Sequence, residues 1–502
     1  VSPNNETGVK GVTITAYNTS NQVVNTTTSG SDGSYTLAYT VPVRLEFQIP
    51  TGTGCVNTTY DFNSFQGDGN SVRFVTSSPS TQNYAINNPS DYVATTNPYV
   101  FANRFSNGNP LGGGNSGTSN WIIGYPYNTS GSGAAPKTLN GVTVGSTWGL
   151  AYSKQSKKIF AAAFLKRHAG LGTLSSGGIY MFDTTVAGFS APTAFFNMDD
   201  AASIILGSGR TRADTSAAPA LGYGSTRSFT YSGNTTLTYN GAVDPASGFA
   251  KGLGVIGTNA DRVLPAAKAT LNYDPAAFDQ VGKVGLGDLD ISDNGKFLFV
   301  TNLYDRKIYR LELNSASNPT SVIAVTSYTL PAVVVTNGVL RPFGLKFFRG
   351  KLFVGAVSTG ENGGVNNVGG TTDMYSYVFE LNSATGSATF TSTPVLTVPL
   401  NYAKGPAMAW TTPDYGLKWY PWSNNTTNTV GSGTDRTYPT PILSDIEFDE
   451  RGDMILAFMD RGGHQWSESN YYNLRTDATL MKYAVGGDLL IAGNNCNATF
   501  TI

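Results

Sequence analysis

One repeated pattern constrains this chain more than anything else in it. Residues 284 to 313, VGLGDLDISDNGKFLFVTNLYDRKIYRLEL, hold three short β-rich runs and the two turns between them. Leu289 and Ile291 alternate with polar neighbours, Asp293-Asn294-Gly295 supplies turn chemistry, and Phe297 to Val300 and Ile308 to Leu313 follow as β-rich runs. No helical period fits, so the stretch predicts a three-stranded antiparallel meander. Residues 147 to 183 repeat it as TWGLAYSKQSKKIFAAAFLKRHAG and GGIYMFD, and residues 342 to 381 as PFGLKFFRGKLFVGAV and MYSYVFEL. A fourth copy begins at Leu443 with LSDIEFDERGDMILAFMDRGGHQW and resumes as ATLMKYAV. The alignment places Gly149, Asp288, Gly344 and Asp445 at one position of the repeat. A meander repeated in this way buries its faces only against its neighbours, and the closed solution is a β-propeller. Six or seven blades are expected.

The chain has 502 residues, enough for a propeller and a smaller module. Charged residues are 13% of it, about half the usual share of ~25%. With a net charge of -1, the surface offers no electrostatic footprint for nucleic acid or an anionic membrane, and near-neutrality favours self-association. No apolar run approaches the ~20 residues that span a bilayer. The first residues show no basic and apolar leader, so the chain reads as a processed, exported product.

Residues 8 to 49 read as a separate all-β module: GVKGVTITAYN, VVNTTTSGSDGSYTLAY and VRLEFQIP. Val12, Ile14 and Ala16 alternate with polar residues up to Asn18, and Asp32-Gly33 marks a hairpin. On GVKGVTITAY, SDGSYTL and LEF, this module resembles the B-type immunoglobulin-like domains of the serine-aspartate-repeat and collagen-adhesin group of bacterial surface proteins. The first strand of that domain, with its acidic calcium loop, would lie upstream of Val1. The order of this module before KRHAGLG, GGIYMFD and GLGDLDISDNGK is similar to secreted bacterial proteins that join it to a propeller. The expected architecture is therefore all-β, with an Ig-like β-sandwich over 1–70 and a β-propeller over 71–502. The resemblance implies an exported cell-surface or matrix protein and carries no catalytic residue across.

The residues themselves supply few catalytic candidates. His168 in LKRHAGLG and His464 in MDRGGHQW are the two histidines, each just after a second strand, where they could meet on one rim. No nucleophile elbow or HExxH spacing accompanies them, and Gly112-Gly113-Gly114 lacks the helix and the Lys-Ser/Thr of a phosphate cradle. Asp305-Arg306 and Asp460-Arg461 share a repeat position, which predicts charge pairing between blades. Asp288, Asp290, Asp445, Glu447 and Asp449 start inner strands, where converging oxygens of Asp288, Asp290 and Asp445 would suit calcium. Trp410, Trp419, Tyr420 and Trp422 beside Asn424-Asn425-Thr426 form either a sugar-stacking loop or inter-blade core. The run AASIILGSG predicts a short helix.

Cys55 and Cys496 are isolated from any metal-binding spacing, leaving a disulfide, within or between chains, or two buried thiols. Sequons fall at Asn5, Asn18, Asn25, Asn57, Asn128, Asn234, Asn424, Asn425 and Asn497, where glycans would hydrate a surface short of charge. The end of the chain, with Ala498, Phe500 and Ile502 alternating with polar residues, reads either as a strand donated to a neighbouring subunit or as one closing its own propeller. The leading functional expectation is a non-enzymatic structural or adhesive protein that partners itself. The alternatives are a secreted calcium-dependent propeller hydrolase or lyase, and a glycan-binding surface protein.

Overall fold

The computed structural model describes residues 10–48, 61–63, 71–87, 97–131, 133–186, 188–198, 226–230, 236–240, 256, 258–348, 350–362, 369–382, 389–407, 416–423, 429–432, 435–449, 452–466, 468–472, 480–494 and 500–502. It contains two compact units, Val1–Pro98 and Tyr99–Ile502. The AASIILGSG run lies outside the described residues.

In the first unit, the expected alternation produces the strand Thr13–Tyr17, with Ile14 and Ala16 buried. It sits between Val23–Thr28 and Val43–Gln48, and Val72–Val75 completes a four-stranded antiparallel sheet. That last strand lies beyond the boundary expected at residue 70. Asp32 caps a turn by accepting the amide of Ser34 at 3.0 Å, and Gly33 takes φ 76°. The chain after this turn does not pair as a hairpin. Instead Tyr35, Leu37, Tyr39 and Val41 lay alternate side chains on the core of Ile14, Leu45 and Phe47. Each of those three core residues stabilises the unit by roughly 1.5–3 kcal/mol on burial. The sheet's apolar face is thus covered by an extended strap and by Tyr84; a second, two-stranded sheet pairs Asp61–Asn63 with Ala85–Asn87, and an Ig-like sandwich is not shown among the described residues.

The second unit is all-β and propeller-like. Three of the predicted meanders form as read. Thr147–Ser153, Lys158–Ala163 and Gly178–Asp183 are followed by a fourth strand, Thr193–Asn197. Leu286–Ile291, Phe297–Asn302 and Lys307–Leu313 continue into Val322–Thr329. The third sheet holds Leu340–Phe348, Lys351–Ser358 and Tyr375–Asn382, to which Thr389–Phe390 and Leu396–Pro399 add.

The fourth sheet corrects the sequence reading. Its first two strands, Pro441–Phe448 and Met454–Asp460, are as expected, but its third strand is Asp488–Asn494. The expected third strand, Leu480–Tyr483, pairs instead with Glu468–Tyr471 and, in parallel, with Asp435–Thr437. Tyr99–Asn103, Asn120–Pro126 and Lys137–Asn140 make a further three-stranded sheet. Among the described residues the second unit therefore holds six sheets of three or more strands, four of which carry the repeat.

All four inner strands share an irregularity. Their register against the second strand shifts between Thr147 and Leu150, Leu286 and Leu289, Pro342 and Leu345, and Leu443 and Asp445. A bulge re-aims the side chains around it, and here it falls at the aligned positions Gly149, Asp288, Gly344 and Asp445. Large apolar cores fill the seams: Phe160, Leu289, Leu298 and Val300 between the first and second sheets, and Phe353, Leu443, Leu456 and Phe458 between the third and fourth.

Candidate functional site

The aligned bulge position alternates between glycine and aspartate, and each does a different job at its seam. A Cβ on Gly149 would stand 2.6 Å from the amide nitrogen of Leu289, so the first inner strand approaches the second too closely for a side chain. Gly344 meets the fourth strand in the same way, 2.9 Å from the Leu443 carbonyl. Between the second and third inner strands two carboxylates bridge the seam. Asp288 Oδ2 accepts the amide of Leu345 at 2.9 Å and its Oδ1 that of Leu289 at 2.9 Å. Asp290 repeats the arrangement with Phe347 at 2.7 Å and Ile291 at 2.8 Å.

These groups converge with those of the fourth strand. Burial, reinforced by Asp445, holds the Asp288 carboxyl well above the usual carboxylate range. Burial also raises Asp290 to about 6, against the opposing charge of Lys346. Lys346 is ion-paired to Glu447, and Asp290 and Glu447 hold its pKa up against the effect of burial. Asp445 keeps solvent contact, yet the surrounding protein and then Glu447 push it up to about 6. Its Oδ1 accepts its own strand's Ile446 amide at 2.8 Å.

Calcium does not fit this set. Among the described residues no three His, Cys, Asp or Glu side chains gather as a cation site requires, and both oxygens of Asp288 and of Asp290 already accept amides. The expected ligand set Asp288, Asp290 and Asp445 is corrected to an inter-strand clamp plus one solvent-facing acid. Asp449 belongs to the turn before the next strand, where its carboxylate accepts the Asp453 amide at 2.9 Å.

Both histidines sit on one rim, as read, but their rings serve separate purposes. The Arg167 amide donates to the His464 carbonyl at 3.0 Å, joining the loops that follow the first and fourth sheets' second strands. His168, at φ 69°, holds Nδ1 2.7 Å from Asn272 Oδ1, and its Nε2 is buried without a partner. His464 lies edge-on among Phe105, Trp148 and Phe164, with centroids 5.1 to 5.5 Å away. Burial drives both imidazoles well below their usual pKa, with Arg167 adding to it at His168 and Lys166 at His464. Neutral and enclosed, neither ring is hydrogen-bonded to a Ser, Thr or Cys side chain among the described residues.

Sequence reasoning singled out Arg461 but missed Arg167 and Arg262, and it did not foresee that these buried arginines hold the rim through loop carbonyls. Arg167 donates to the carbonyls of Tyr273, Gln465 and Tyr471, and Arg461 to those of Val281, Ser423 and Asp279. Arg262 pairs with Asp274 at 2.6 Å, both fully buried. The expected Asp–Arg pairing between blades gives way to this pattern. Asp460 accepts the amides of Thr440, Gly462 and Gly486, while Arg461 caps distant carbonyls. A guanidinium with five donors suits several loop carbonyls at once. The sequence signal was present in the arginines at equivalent positions after second strands.

Of the proposed sugar-stacking cluster, Trp419 and Trp422 are 0% and 2% exposed. Their indole N–H groups donate to Tyr402 Oη and the Pro441 carbonyl, and Tyr420 stacks on Tyr438 at 4.5 Å. They are core, and a sugar platform built on them is ruled out. Trp410, Cys55, Cys496, Ala498, Asn5, Asn57, Asn234, Asn424, Asn425 and Asn497 lie outside the described residues. Asn128 is exposed beyond the strand Asn120–Pro126, whereas Asn18 and Asn25 are partly buried and bonded to Gln22 and Ala38. Phe500–Thr501 pairs with Asn494 and Gly493 of its own sheet, and Phe500 packs 6.1 Å from Phe448. Of the two readings of this strand, the structure shows the one in which it closes its own blade.

No family model matches the chain. It is similar to Colossin-C of Dictyostelium discoideum, 28% identical over 187 residues, which is 36% of this chain and 16% of Colossin-C. The chain thus spans less than a fifth of that relative's length. Among solved structures it is similar to a protein from Lactobacillus plantarum at 9% identity and a TM-score of 0.25, covering 96% of this chain and 100% of that one. An α-L-arabinofuranosidase from Lactobacillus brevis follows at 11% identity and a TM-score of 0.23, covering 72% and 94%. The periplasmic gluconolactonase of Pseudomonas aeruginosa stands at 12% and 0.23, covering 78% and 99%. These are β-rich, propeller-like proteins, and a likeness at such TM-scores transfers no activity.

Proposed function

We propose that this chain is an extracellular structural or adhesive protein whose larger unit serves as a rigid propeller block without turnover chemistry of its own. One observation carries the reading: the acidic residues best placed for chemistry, Asp288 and Asp290, have all four carboxylate oxygens engaged by backbone amides across a seam. Groups held in this way set the distance between strands, which ties their carboxylates to the backbone and away from a role in positioning a substrate. The enclosed, neutral histidines support the same conclusion. The low charge of the surface supports self-association, as do Leu489 and Ile491, exposed at 69% and 63% on an outer strand. Glycans at Asn128, and an exported setting, belong to this proposal.

A second reading, a propeller hydrolase, is favoured by Asp445 alone. Its solvent-facing carboxyl at about 6 stands two residues from Glu447, on the same strand face, and Glu447 is paired with Lys346. A proton-holding acid beside an ionised carboxylate is the division of labour of general acid–base catalysis. One experiment separates the two. The purified full chain is tested on lactone, ester and glycoside panels and viewed by negative-stain microscopy. Ordered self-assembly with no turnover is expected. Turnover abolished in Asp445→Asn would overturn the structural reading in favour of the hydrolase.

A further inference from the structure

The rim carries a cationic cluster that structural needs do not account for. Lys283 precedes the second inner strand, Arg306 follows that sheet's second strand, Arg341 lies in the third inner strand and Arg461 follows Asp460. One carboxylate, Glu361, meets two of them: Arg341 Nε donates to Oε1 at 2.7 Å, and Lys283 Nζ is paired to Oε2. Arg341 and Arg461 also stand over the same buried indole, Trp422, at 5.5 and 4.6 Å from its centroid. Asp305, beside Arg306, accepts the Lys307 amide at 3.0 Å and the Tyr309 hydroxyl. Arg461 is held by loop carbonyls, which leaves Lys283, Arg306 and Arg341 facing the carboxylates of Glu361 and Asp305, in a region where Lys283, Arg341 and Glu361 side chains are 5%, 5% and 8% exposed.

Uncompensated positive charge is costly to bury unless something anionic shares the site. Two N–H donors point to where it belongs. Arg341 Nη1 and Arg306 Nε are both buried and have no hydrogen-bond partner. A buried donor left unmade is unfavourable, more so when charged, because folding removes its water and puts nothing in its place. Two such donors, on segments brought together where Leu303 packs with Phe343 and donates its amide to the Gly285 carbonyl at 3.0 Å, are matched by one small group with several acceptor oxygens. Arg461 contributes field only, since its nitrogens already cap the Val281, Ser423 and Asp279 carbonyls.

We propose that Arg306, Arg341 and Lys283 form a binding site for a small oxyanion, a carboxylate, sulfate or phosphate group, seated between Arg341 Nη1 and Arg306 Nε. Half-buried Arg306 gives the way in, and Glu361 keeps Lys283 and Arg341 in place when the site is empty. The repulsion among these cations is visible in their acidities: burial, and then Arg341, lowers Arg306, while burial lowers Lys283 to about 8 despite its pairing with Glu361. The inference stands apart from the question of turnover and holds for a structural protein or an enzyme.

The test is calorimetric titration and thermal shift of the full chain with sodium sulfate, sodium phosphate and sodium glucuronate, each against sodium chloride at matched ionic strength. Saturable binding above the chloride background is expected, weakened at least tenfold in Arg306→Gln and in Arg341→Lys, which keeps the charge but loses Nη1. Tighter binding of glucuronate assigns the site to a sugar-borne carboxylate, and tighter binding of sulfate or phosphate to the tetrahedral anions. If Arg341→Lys fails to fold, Arg306→Gln decides alone. No response beyond chloride, or binding unchanged in Arg306→Gln, overturns the proposal.

Discussion

A carboxylate oxygen of Asp288 accepts the backbone amide of Leu345 at 2.9 Å, across a separation of 57 residues. The two lie on inner strands of different sheets, which share no ladder of backbone bonds, so the side chain supplies what the backbone cannot. Asp290 and Phe347 repeat the bond one pleat further along. Where glycine replaces the acid, at Gly149 and Gly344, the neighbouring backbones close up directly. Glycine and aspartate at one repeat position are thus two ways of setting a seam.

Asp288→Ala should destabilise the larger unit by about 2–3 kcal/mol, because it leaves the Leu345 and Leu289 amides unmet in a buried seam. Asp288→Asn, which keeps one acceptor oxygen, should cost about half as much. Urea unfolding midpoints measure both. Equal midpoints for wild type and Asp288→Ala would show that the clamp contributes nothing.

Gly149→Ala should cost about 1–3 kcal/mol by overpacking against Leu289. The control is Gly405→Ala, where an added Cβ meets nothing within 4 Å, and its effect should stay within about 0.5 kcal/mol. The pair is compared by thermal melting. A Gly149→Ala protein as stable as the control would remove the steric account of the glycine seams.

The buried acids Asp290 and Asp460 should favour the folded state on mild acidification. Buried Asp290 and Asp460 titrate in the folded state at about 6, raised first by burial and opposed by their hydrogen bonds. At these groups the folded state therefore binds more protons than the unfolded state between about pH 4 and 6, and the stability they contribute falls as pH climbs through that window. Each shift is worth at most about 3 kcal/mol. Below about pH 4 the sign reverses at Glu361, which burial would raise but which Arg341 and Lys283 hold well below the carboxylate range. The buried, neutral His168 and His464 act with the opposite sign below about pH 6.5, so the acids are isolated by comparison: relative to Asp460→Asn, which cannot titrate, the wild-type Tm should fall as pH climbs from about 4 to 7. A Tm difference between the two proteins that does not change with pH contradicts this.

His464→Phe should fold with an unchanged or higher Tm. The imidazole is packed among Phe105, Trp148 and Phe164, and its Nδ1 is buried with no partner, so a phenyl ring removes an unmet polar atom at similar volume. A fall of several degrees would show that the imidazole makes a polar contact the fold requires.

What the sequence alone determined here is local. Period-two alternation and the Asp293-Asn294-Gly295 turn specify three strands and their facing, and recurrence of the pattern identifies Gly149, Asp288, Gly344 and Asp445 as equivalent, which the shared bulge bears out. Tertiary structure decided which strands pair and which polar groups meet. Leu480–Tyr483 and Asp488–Asn494 alternate equally well, and only long-range packing puts the second, not the first, beside Met454–Asp460. Asp288 reads alike as a calcium ligand or as a clamp until Leu345 is placed opposite it. Trp419 and Trp422 read alike as sugar platform or core until the loops close over them. In each case the side chain's chemistry is written in its residue type, but its partner is brought by contacts tens to hundreds of residues away, and no local pattern encodes those.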